Sequence, residues 1–89
     1  MNTTFVKHDD PGHGWLQVSL TDIKNVGTSI DDYSGYSYRK GNILFLEEDC
    51  DASKFVNLWK TKFGSYPQIT HKHHKGDFPA DNNLRSIHS

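Results

Sequence analysis

The chain has 89 residues, 34% of them hydrophobic, a mean hydropathy of −0.75 and a formal net charge of −1. That length holds one domain with a small core and excludes a catalytic domain joined to a separate binding domain. A single cysteine, Cys50, excludes an intramolecular disulfide and a thiolate zinc cluster, and the longest apolar run, Ile43 to Leu46, is far too short for a membrane helix.

In chain order, Phe5 to His8 reads as a first strand that enters the run His8-Asp9-Asp10-Pro11-Gly12-His13-Gly14-Trp15. Gly14 to Leu20 alternates, with Leu16, Val18 and Leu20 on one face and Trp15, Gln17 and Ser19 on the other, so it reads as a strand with one buried side. A hairpin is expected, with His8–His13 as its loop. Thr21-Asp22 offers the N-cap of a short helix that Gly27 closes. Thr28 to Gly35 reads as loop. Tyr36 to Tyr38 and Ile43 to Glu47 form the next hairpin around Lys40-Gly41, and the apolar residues on both faces of Ile43–Leu46 fit a central strand. Asp51 is expected to cap a main helix over about 52–63, whose Ala52, Phe55, Val56, Trp59 and Phe63 recur at helical spacing before Gly64. Gln68 to His74 reads as an edge strand, and 75–89 as a polar tail, draped over the domain or mobile. The expectation is a single α+β domain over 1–74, with an antiparallel sheet of four to five short strands packed against the main helix plus one short helix.

Four stretches could carry chemistry. His8 and His13 titrate near neutrality, and with Asp9 as orienting partner they would be the base and acid of a small hydrolase or ribonuclease. Turn formation alone explains the Asp, Pro and Gly between them, and otherwise no catalytic residue is expected. His71 and His73 point to one side of a strand at a chelating spacing, but without Cys or a Glu-containing helical motif beside them no metal or other cofactor is expected. Glu47, Glu48, Asp49 and Asp51 suit the positive end of a helix dipole and also offer a docking surface for a basic partner. Cys50 among them reads as a small buried residue. Tyr36 and Tyr38, on one face of a strand beside Arg39 and Lys40, could stack on a base or nucleotide ring, or simply cover the sheet.

Charge is unevenly spread. Residues 1–53 hold nine acids against four bases, and residues 54–89 hold six bases against two acids, so an acidic and a basic side are expected. Met1 to Phe5 lacks the basic and apolar regions of a signal peptide, which makes the cytoplasm the default location.

His8 with Pro11-Gly12-His13-Gly14-Trp15-Leu16, then Tyr36-Ser37-Tyr38, then Leu46-Glu47-Glu48-Asp49-Cys50-Asp51-Ala52 and Phe55 resemble a set of small hypothetical proteins from phages, plasmids and bacterial genomes. In that set the first motif reads His-Asp-Pro-Gly-His-Gly-Trp, so this chain has one additional Asp in the turn. The resemblance implies no activity, only an accessory protein of a mobile element. The expected function is a binding protein that inhibits a host enzyme or nucleoprotein defence complex, such as a nuclease, in the host cytoplasm. Its contacts would be Glu47, Glu48, Asp49, Tyr36, Tyr38, Arg39 and Lys40. The alternatives are the His-dependent hydrolase and an RNA or nucleotide binder.

Overall fold

Strand alternation, two glycine-bearing turns and one amphipathic helix produce a single sheet covered on both faces. The computed structural model describes residues 4–89; Met1 to Thr3, part of the stretch read for a signal sequence, lie outside the described residues. The elements are β1 (Thr4–Asp9), β2 (Gly14–Ser19), α1 (Leu20–Asn25), β3 (Tyr38–Lys40), β4 (Ile43–Glu47), α2 (Ser53–Phe63), β5 (Gln68–His73), α3 (Phe78–Asp81) and β6 (Arg85–Ser86). A 3₁₀ turn, Ile30–Asp32, lies in the loop before β3, and a π-helical turn, Glu48–Ala52, leads into α2.

The sheet has six strands in the order β5-β1-β2-β4-β3-β6. Every pairing is antiparallel except β1 with β5, where the chain returns through α2 and runs alongside Thr4–Asp9. The sheet is therefore larger than expected, and mixed rather than purely antiparallel. Register places Leu16 opposite Leu46 and Val18 opposite Leu44, so one face presents these four with Phe5. Phe55 and Trp59 of α2 cover that face, and Phe5 meets both rings edge-on at 5.4 and 5.2 Å. Gly64 ends α2 at φ 84, a left-handed conformation that glycine takes without a Cβ clash.

Two caps differ from expectation. Ser19, not Thr21-Asp22, starts α1, and it forms a capping box in which Ser19 and Asp22 exchange bonds of 2.8 and 3.0 Å. Glu47, not Asp51, caps the main helix, accepting from the Asp49 and Cys50 N–H groups at 3.0 and 3.1 Å. The extra residue taken up by the π-helical turn moves Asp51 inward. There its carboxylate accepts from the Ser34 N–H, the Ser34 hydroxyl and the Ser37 hydroxyl, and Ser37 Oγ accepts from the Glu47 N–H.

The second face is also covered. Trp15, expected on the open side of its strand, is only 5% exposed and clusters with Phe45 and Phe78, with Tyr38 and Leu84 packed beside them. The stretch read as a polar tail supplies that cover. Asp77 accepts from the Ala80 N–H to cap α3, Phe78 is buried, β6 adds to the sheet edge beside β3, and Ile87 enters the core under α2. Among the described residues no helix is long and apolar enough to cross a membrane.

Candidate functional site

The hairpin loop begins later than expected. His8 and Asp9 belong to β1, and only Asp10 to His13 turn the chain. Asp10 organises the turn: one carboxylate oxygen accepts from the Gly12 and His13 N–H groups at 2.9 Å each, and the other accepts from the Phe78 N–H at 3.1 Å. Burial pushes the Asp10 carboxyl up, but the three N–H bonds outweigh it and hold it below the ordinary carboxylate range. One side chain thus ties the first hairpin to the C-terminal segment.

His8 and His13 do not converge. His8 is buried under Phe78, which stacks on it at 4.4 Å and 14°. Its Nε2 faces Gln17 Oε1 at 2.7 Å and its Nδ1 faces His74 Nε2 at 2.9 Å, so both ring nitrogens are engaged. With the Gln17 carbonyl as acceptor, His8 carries its proton on Nε2 and Nδ1 accepts from His74. Burial depresses the His8 imidazole more than the Gln17 bond raises it. His13 is instead exposed, its ring tilted against Trp15 at 5.8 Å. Asp9, the expected orienting partner, bonds to His71 at 2.9 Å and pairs with Lys7 at 3.3 Å. A base, an acid and their orienter are therefore not assembled. His71 and His73 share a strand face, but His71 is held by Asp9, and no group of three or more His, Cys, Asp or Glu among the described residues is arranged to hold a metal.

Pro11, Gly12, His13 and Trp15 do meet another set of residues. With Asp10 they form one side of an open groove of about 860 Å³; Gly35, Tyr36 and Tyr38, then Glu47, Asp49 and Cys50, then Lys75, Gly76, Asp77 and Pro79 form the rest. The three separate motifs of the sequence thus contribute to one concavity, and the C-terminal segment completes it. Four carboxylates line the groove against one ammonium group. Tyr36 is 75% exposed and lies in a turn before β3, not on a strand face shared with Tyr38. Tyr38 meets Trp15 edge-on at 6.2 Å. The Trp15 indole N–H is buried and has no acceptor among the described residues, an arrangement that costs about 1–3 kcal/mol.

The expected contact residues therefore divide. Tyr36, Tyr38, Glu47 and Asp49 line the groove, although Glu47 is buried and occupied as the helix cap. Glu48 points elsewhere and pairs with Lys7 at 2.7 Å. The Lys7–Glu48–Asp9 cluster lies against Gly14, where an added Cβ would come within 2.7 Å of both carboxylates and the three side-chain ends would have to shift aside. Arg39 and Lys40 are outside the groove lining, and Arg39 donates twice to the Gly41 carbonyl of its own turn. Cys50, expected to be buried, is exposed at the groove. Sequence reasoning missed Asp77 and Pro79, although Asp77-Phe78-Pro79 carries a helix-start signature of a capping acid followed by an early proline.

Compared with known proteins, the chain matches no family model, no curated protein and no solved structure.

Proposed function

We propose that this is a binding protein that seats a partner macromolecule in the groove and transforms nothing. As an accessory protein of a mobile element, it would inhibit a host enzyme or nucleoprotein defence complex by occupying it. One observation carries the reading: the Asp10–Trp15 turn, the Gly35–Tyr38 turn and the Glu47–Cys50 helix entry, distant in sequence, line the same open concavity. Clefts that gather polar and aromatic side chains from several elements are where ligands and partners bind. Packing accounts for Trp15 and Tyr38, but not for Tyr36, an aromatic residue left exposed at the groove.

The two alternatives have less support. The hydrolase reading needs His8 and His13 together, and His8 is buried with both nitrogens engaged. The nucleotide-binding reading needs cations beside Tyr36 and Tyr38, where the groove instead has four carboxylates and a single lysine.

Capture from bacterial host lysate on immobilised protein tests the proposal. The expected result is a stoichiometric partner retained by the wild type and by Glu48→Ala, and lost with Tyr36→Ala combined with Asp49→Lys. Turnover of RNA, a nucleotide or an ester that disappears in His13→Ala would overturn it.

A further inference from the structure

We infer that the groove receives a projecting arginine side chain of a partner protein, with the partner's backbone crossing Trp15. This rests on the binding reading above and gives the occupant its chemistry. It keeps the basic partner expected for the acidic segment and places its contact in a concavity of this chain.

Charge is the first support. Asp10, Glu47, Asp49 and Asp77 line the groove, and Lys75 is the only ammonium group in the lining. Asp10 and Glu47 are fixed in place by the backbone N–H groups they accept, which leaves their negative charge standing in the wall. A concavity lined by one sign of charge focuses its field and concentrates the opposite charge, and it repels phosphate. The rings are the second support. Trp15 and Tyr38 stand edge to face, His13 leans on Trp15, and Tyr36 is open to solvent at the groove. Aromatic faces attract cations, and a planar, weakly hydrated guanidinium stacks on them better than an ammonium does.

The third support comes from Trp15. Its indole N–H is a buried donor with no acceptor among the described residues. Trp15 itself lines the groove, so the acceptor we infer for it is a carbonyl oxygen of an occupant laid across that ring. A polyamine brings cations without a carbonyl, and a metal ion brings neither a carbonyl nor a flat face. A basic peptide segment brings all three features.

The probe is an acetylated, amidated pentapeptide with a central arginine among glycines, titrated to millimolar concentration. Trp59→Phe leaves Trp15 as the sole indole reporter, and calorimetry on the unmodified protein repeats the measurement in case that variant is unstable. Saturable binding is expected, weakened about tenfold or more when citrulline replaces arginine. Asp49→Asn and Asp77→Asn should each weaken it about threefold, since an asparagine keeps the α3 cap and removes only charge. Equal binding of the citrulline peptide, tighter binding of a single-stranded oligonucleotide, or no saturable response to the arginine peptide overturns the inference. In the last case, loss of the captured host partner on Tyr36→Ala with Asp49→Lys would still uphold the groove as the binding site.

Discussion

His8 shows how one buried polar side chain ties two segments together. It accepts from His74, donates to Gln17 and stacks under Phe78, so it joins β1, β2 and the C-terminal segment. Burial, ahead of the opposing Gln17 bond, lowers its affinity for a proton below the ordinary imidazole value of 6.5. The unfolded chain therefore takes up a proton at that position before the folded one does. Stability from His8 is complete above about pH 6.5 and is lost as pH falls through that value towards the folded one. The melting temperature should fall between pH 7.5 and 5.5 in the wild type, and His8→Gln should flatten much of that slope. An unchanged slope in the variant would contradict the assignment. Asp9 and Asp10 are held low and Lys7 high, so none of the three titrates in this window. The sequence marked His8 as chemically unusual but placed it in the loop. Only the β1–β2 register, with His8 opposite Trp15, turns it under Phe78, and a single apolar residue in a polar stretch has no periodicity to announce that contact.

At the scale of elements, periodic segments were legible and irregular ones were not. The alternation of Leu16 and Val18, the two apolar faces of Ile43–Leu46 and the helical spacing of Phe55, Trp59 and Phe63 all lead to the observed β2, β4 and α2. The π-helical turn and the two-residue β6 are too short for any period, and they shifted the helix cap to Glu47 and hid the sixth strand. The final fifteen residues are the main consequence. Phe78 closes the second face and Ile87 the first, so this segment carries fold as well as groove wall. Phe78→Ala should cost about 3–5 kcal/mol in chemical denaturation, because it opens a cavity against Trp15, Phe45 and His8. That is a large share of the roughly 4–13 kcal/mol expected for a domain of this length. A loss below about 1 kcal/mol would mean that the segment merely lies on the sheet.

Across the whole molecule, the charge separation read from composition resolves into local uses. The α2 lysines serve the fold: Lys54 and Lys62 donate to the Asp32 and Asn25 carbonyls, and Lys60 lies over Tyr66 at 4.6 Å. Glu47, Glu48 and Asp51 are likewise committed to a cap, an ion pair and a buried network. The exposed acids Asp49 and Asp77 and the exposed ring of Tyr36 remain together at the groove. Three of its four walls come from motifs visible in the sequence, whereas their convergence depends on strand order, which composition and spacing do not encode. The most direct measurement is an amide chemical-shift map of the ¹⁵N-labelled protein, titrated with the partner captured from host lysate. The account predicts that the largest changes fall at 10–15, 35–38, 47–50 and 75–79. Changes concentrated on the exposed face of α2 or along β5, with those four segments unmoved, would contradict it.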